Sequence, residues 1–100
     1  MSRSKSIIFE WDERKAKLNI QKHHISFDEA KSVFYDNYAR LIPDPDHSHE
    51  EDRFILLGMS EQLHVLVVCH CYRKGDSVIR LISARKANRH EQDIYQEHRK

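Results

Sequence analysis

The chain has 100 residues, 39% apolar and 33% charged, with a formal net charge of +1. That length is expected to hold a single domain over residues 1–100, with its core in about 7–98. The near-cancelled charge excludes nucleic-acid binding driven by overall charge, so any phosphate site must come from local clustering.

The charge is nonetheless polarised. Residues 44–52 hold five acids and no Lys or Arg, whereas Lys and Arg outnumber Asp and Glu from Arg73 onward. Residues 7–11 form a short apolar run, read as a first strand and too short for an export signal. Asp12 stands where a helix N-cap belongs, followed by Glu13 in the first turn. The helix over residues 13–23 places Ala16 and Ile20 on one face. Ser26 and Glu29 have the spacing of a capping box, in which Ser26 caps the Glu29 amide and Glu29 reaches back. Phe27, Ala30, Val33 and Phe34 repeat at helical spacing and are expected in the core. Asp36 and Asn37 end that helix in a turn.

Residues 39–43 read as a strand and 44–52 as a polar loop. Residues 53–59 and 63–72 read as two strands joined by a tight turn near Ser60, Glu61 and Gln62. The run from Leu63 to Cys69 is nearly continuous in β-formers, as a central strand requires. Lys74, Gly75 and Asp76 form a hairpin turn. Residues 78–84 make the last strand. Asn88, with Glu91 three residues on, starts a final helix to about His98. The order β-α-α-β-β-β-β-α is an α+β fold: a mainly antiparallel sheet with its helices on one face and the other face partly open.

Cys69 and Cys71 are two apart, on one side of one strand, in poor geometry for a mutual disulfide. They read as small buried hydrophobes suited to a reducing cytosol. Lys22, His23 and His24 fall at the end of the first helix, where cations suit the macrodipole. The 44–52 loop is read mainly as solvated. It could also offer metal ligands, or proton-transfer groups in His47 and Glu51. Arg53, Arg73, Arg80 and Arg85 lie on or beside strands. Arg80 interrupts Val78-Ile79 and Leu81-Ile82, so it must either pair with an acid such as Glu10 or Asp36 or line an open face. Several guanidinium forks on adjacent strands make a phosphate cradle.

An ordered set of segments carries a family resemblance. It comprises Phe9-Glu10-Trp11-Asp12, Lys15, Asn19, Lys22-His23, Ser26-Phe27-Asp28-Glu29-Ala30, Phe34-Tyr35-Asp36, Asp46-His47-Ser48, Glu51-Asp52-Arg53-Phe54, Gly58-Met59-Ser60 and Arg80-Leu81-Ile82-Ser83-Ala84-Arg85-Lys86-Ala87. Together they resemble the BrnT family of ribonuclease toxins over nearly the whole chain. One departure is plain: the family usually has Lys-His-Gly at the first helix end, and this chain has Lys22-His23-His24.

The resemblance implies a RelE-like fold and an endoribonuclease toxin of a bacterial type II toxin–antitoxin system. Cleavage would use the RNA 2′-hydroxyl as nucleophile, need no metal or other cofactor, and inhibit translation and growth. His23, Glu51, Arg53, Arg73 and Arg80 are then the catalytic candidates, with Lys22, His47, Ser83 and Arg85 as RNA-binding ones. The implied partners are RNA and a BrnA-like, DNA-binding antitoxin in an autorepressing complex. Toxin–antitoxin pairs that dimerise, a cytoplasmic location and no membrane contact complete the expectation. The alternatives are a non-catalytic antitoxin-binding module and a metal-dependent nuclease using residues 44–52.

Overall fold

The computed structural model describes residues 7–43, 53–75 and 77–99. In chain order these form β1 (Ile8–Glu10), α1 (Glu13–His23), α2 (Phe27–Ser32) running into a 3-10 turn (Val33–Tyr35), β2 (Arg40–Pro43), β3 (Arg53–Met59), β4 (Val65–Arg73), β5 (Val78–Lys86) and α3 (Arg89–Arg99). The sheet order is β1-β5-β4-β3-β2. Only β1–β5 is a parallel pair; the other three pairs are antiparallel. The order of elements is the expected one, and β4 is the central strand.

Local chemistry explains the boundaries. Asp12 caps α1 by accepting from the Arg14 and Lys15 amides at 2.8 and 3.2 Å. At the other end His24 takes a left-handed conformation (φ 62°) and its N–H returns to the Ile20 carbonyl. Asn88 and Glu91 form the full reciprocal box at the start of α3, at 2.9 and 2.8 Å. Ser26 and Glu29 form only half of one. Ser26 accepts from the Glu29 amide, but the Glu29 carboxylate turns inward to Ser60 Oγ (2.6 Å) and His64 Nδ1 (2.7 Å). Glu29 is buried, and two partners across the β3–β4 turn satisfy it better than one amide of its own helix.

Two further expectations change. The buried face of α1 is Ala16 and Asn19, while Ile20 is exposed. Asn19 donates to the Ile25 and Ala84 carbonyls (2.9 and 2.8 Å) and accepts from the Ala84 amide (3.1 Å). β1 pairs with β5 only over residues 78–80. Asn19 thus continues the edge pairing where β1 has ended, and that rotates Ile20 outward. Leu63 belongs to the turn and not to a strand: its φ is 66°, it is exposed, and its amide bonds Ser60.

The helices do not share one face. Leu56, Leu66, Val68, Ile79 and Leu81 pack with Ala16, Phe27, Ala30 and Val33 of the α1–α2 layer. The alternate residues Leu57 and Val67 pack instead with Ala87, Ile94 and Tyr95, so α3 covers the opposite side of the sheet. Tyr95 helps to hold α3 there. Its buried hydroxyl donates to Asp36 Oδ2 at 2.6 Å, tying α3 to the turn after α2. β3 and that turn approach closely at Gly58, where a Cβ would lie 2.8 Å from Val33 and 2.9 Å from Ala39.

Candidate functional site

Sheet register arranges the polar side chains of the α3 face in transverse rows. Residues directly opposite on paired strands share a face. The first row is Glu10–Arg80–Cys71–Arg53, across β1, β5, β4 and β3. The next is Ser83–Cys69–Ile55–Ile42, and the third Arg85–Val67–Leu57–Arg40. α3 lies over the third row, leaving the first at the open end. Arg73, two residues beyond Cys71 on β4, faces the same way. Arg53, Arg73, Arg80, Ser83 and Arg85 are therefore brought onto one surface. A bulge at Cys69/His70 lets β5 keep this arrangement on both sides of Ile82.

The first row has a definite ionic structure. Arg80 Nη1 donates to Glu10 Oε2 at 2.9 Å, and Arg73 Nε lies 3.9 Å from the same oxygen. The Arg80 side chain is 30% exposed and Glu10 40%, so both can meet solvent or a ligand. The two readings of Arg80 thus hold together: it is paired with an acid, and it lines an open face. The other candidate acid, Asp36, is committed elsewhere, accepting from Tyr95 and from the Met59 and Tyr38 amides. Burial alone would raise the Asp36 pKa, but those three donors outweigh it and the net shift is downward.

Arg85 has a different role. It makes a bidentate pair with Glu91, both bonds 2.8 Å, which ties β5 to the first turn of α3. The bond from Arg85 is the largest cause holding the Glu91 carboxyl below its usual range, and the same bond raises Arg85. A third bond, from Nη1 to the Lys86 carbonyl at 3.3 Å, also spends this guanidinium on the junction.

His23 ends α1, beside Lys22 and near Arg85. Partial burial lowers its pKa, helped by the charges of Lys22, Arg85 and His24. The neutral imidazole is thereby favoured, which suits a proton acceptor. Arg85 and Arg80 are five residues apart on β5, roughly 15 Å at strand rise. His23 accordingly stands at the far end of β5 from the arginine row. His47 and Glu51 lie outside the described residues. What the row itself provides is multiple guanidinium donors for an anion, with one carboxylate among them.

The sequence offered Glu10 as a partner for Arg80 and within the family resemblance but not as a site residue, and it did not single out Arg40. Their signal was register, since each stands opposite a nominated or core residue once the strands are paired. Beside the rows, an apolar cleft of about 270 Å³ is lined by Ile42, Ile55, Leu57, Val67 and Ile94, with Arg40 and Glu91 at its rim. Among the described residues, no helix is long and apolar enough to cross a membrane.

Residues 11–91 match the family model described as "Ribonuclease toxin, BrnT, of type II toxin-antitoxin system". The chain is also similar in fold to the Brucella abortus ribonuclease toxin BrnT, known from a 1.1 Å crystal structure. The TM-score is 0.65 at 24% identity, covering 84% of this chain and 100% of that one. No curated protein matches the chain.

Proposed function

The chain belongs to the BrnT family of ribonuclease toxins of type II toxin–antitoxin systems, and from that premise we propose that it cuts RNA on the open sheet face at the Glu10–Arg80–Cys71–Arg53 row. The observation that carries this is the convergence of Arg80 and Arg73 on one half-exposed carboxylate beside Arg53 in register. RNA carries its own nucleophile. Attack of a 2′-oxygen on the adjacent phosphorus needs a base, an acid for the departing 5′-oxygen, and cations around the pentavalent phosphorane. Arg53, Arg73 and Arg80 supply the cations. Glu51 is a proton-transfer candidate, with His47, four residues earlier in the sequence, a further one; His23, the remaining candidate, stands at the other end of β5 from the row. Lys22, Ser83 and Arg85 extend the track along β5 toward the end of α1, where they hold the strand and do not touch the scissile phosphate. Cleavage proceeds without a metal or other cofactor, and the loss of RNA inhibits translation and growth.

A type II system pairs a toxin with a protein antitoxin. The antitoxin of this chain is a BrnA-like, DNA-binding protein that lays acidic or apolar elements over the arginine row and the adjoining apolar cleft. The two proteins form a dimer of toxin–antitoxin pairs that represses its own operon in the cytoplasm. Residues 1–100 act as a single toxin domain. Induction of Arg80→Ala in a bacterial host tests the reading. The variant is expected to fold and to leave growth unarrested; a folded Arg80→Ala chain that still arrests growth overturns it.

A further inference from the structure

Guanidinium groups bind phosphate but do not accept protons at neutral pH. The arginine row therefore needs a proton acceptor within its own reach. His23 stands at the other end of β5, but Glu10 is already there. Its Oε2 lies 2.9 Å from Arg80 Nη1 and 3.9 Å from Arg73 Nε, and its side chain is 40% exposed. Its backbone is fixed by parallel pairing of β1 with β5, which sets Glu10 opposite Arg80. Among the described residues, the groups facing it are Arg80 of β5 and Arg73 of β4, with Cys71 and Arg53 in the same transverse row. A phosphate bound by the free N–H groups of Arg80 and Arg73 would sit beside this carboxylate.

We propose that Glu10 is a catalytic residue of this chain: the general base that takes the proton from the attacking 2′-hydroxyl. The inference rests on the arginine row being the cleavage site. In the step, the 2′-O–H proton passes to the Glu10 carboxylate as the O2′–P bond forms and the P–O5′ bond breaks. The departing 5′-oxygen takes a proton from solvent or an acid, and Glu10 returns its own to solvent. The products are a 2′,3′-cyclic phosphate and a 5′-hydroxyl, and no oxidant, reductant or co-reactant is consumed. Its contacts with Arg80 and Arg73 hold the carboxylate at the row while the site is empty.

The test uses the purified full chain and a 5′-labelled RNA transcript, with Glu10→Gln and Arg80→Ala assayed in parallel after their folds are checked by circular dichroism. Glu10→Gln is expected to lose roughly 10²- to 10⁴-fold in kcat, as removal of a general base does, with KM unchanged or lower. The acidic limb of the kcat/KM profile should disappear, and formate should restore part of the rate of Glu10→Ala. A rate within about threefold of the unmodified chain overturns the proposal, as does a faster one, which marks Glu10 as a screening anion. Loss of rate with raised KM and an intact acidic limb also overturns it, because Glu10 then only positions Arg80. Should Glu10→Gln not fold, Glu10→Asp carries the test: retracting the carboxylate by one methylene should cost at least roughly 10-fold, and an unchanged rate overturns the assignment. Arg80→Ala separates the two levels. If it is inactive while Glu10→Gln is fully active, Glu10 alone is wrong; if Arg80→Ala is fully active, the cleavage site itself is wrong.

Discussion

Replacing Asn19 by Ala should be among the most damaging single changes outside the arginine row. Asn19 is 5% exposed, and its carboxamide makes three backbone hydrogen bonds, to Ile25 O at 2.9 Å, to Ala84 O at 2.8 Å and from Ala84 N at 3.1 Å. Truncation leaves two carbonyls and one amide without that partner in a closed site. Each such group costs about 1–3 kcal/mol if unsatisfied. Water entering the space left by the side chain recovers part of that, so a net loss of about 3 kcal/mol is expected. A domain of this size holds roughly 5–15 kcal/mol in total. At roughly 4–8 °C per kcal/mol, the melting temperature should fall by roughly 12–24 °C. Urea titration followed by circular dichroism measures the change, with the m-value expected to stay constant. Asn19→Asp keeps the acceptor for Ala84 N but loses both donations and faces two carbonyls with a charge, so it should be no milder. A loss under about 1 kcal/mol for Asn19→Ala would mean that Asn19 is not what holds α1 to β5, and the account of that edge would fail. The consequence reaches function, because β5 carries Arg80, Ser83 and Arg85.

His24→Gly should stabilise the chain by about 1 kcal/mol, because His24 caps α1 at φ 62°, where glycine carries no Cβ penalty; an unchanged urea midpoint would contradict this. Stability should also fall as pH drops from neutrality. His70 is fully buried among Phe34, Phe54 and Tyr72, and burial holds its pKa below the ordinary 6.5. The unfolded chain then takes up this proton first, so the contribution is present above 6.5 and lost as pH falls through the folded value. Asp36 acts in the same direction at lower pH: burial opposes its ionisation, its three donors prevail, and its contribution fades as pH falls from 3.8 through its folded value. His70→Phe should flatten the stability curve just below pH 6.5, and a slope identical to that of the unmodified chain would show that His70 does not set it.

The fold was legible in the sequence wherever a local rule acted alone. Asp12 and the Asn88–Glu91 box each satisfy themselves within a few residues, and their helices start where those signals put them; the run of β-formers likewise marks β4, apart from Leu63 and His64 at its start. Legibility failed where a distant partner outbid a local one. Glu29 left its own helix end for Ser60 and His64, and Asn19 displaced Ile20 from the buried face because β5 had an unpaired edge at Ala84. The side taken by α3 depends on Tyr95 reaching Asp36 across 59 positions of sequence, which periodicity does not encode. The candidate site divides the same way. Arginines interrupting apolar strands announced a cationic face, but strand register decided which of them meet. It set Arg80 with Arg73, Arg53 and Glu10, and left Arg85 to Glu91.

Cleavage of a defined transcript by the purified chain in excess chelator, followed by analysis of the new RNA ends, shows whether the arginine row cuts RNA without a metal. The expected result is cutting that leaves 2′,3′-cyclic phosphate and 5′-hydroxyl ends. In Arg80→Ala that activity should fall by roughly 10²- to 10³-fold, the usual cost of losing one charge-stabilising donor. The melting temperature should fall by no more than roughly 4–8 °C, since the partly exposed Arg80–Glu10 pair contributes at most about 1 kcal/mol. Undiminished cutting by Arg80→Ala, or cutting that requires a divalent ion and leaves 5′-phosphate ends, would contradict the account.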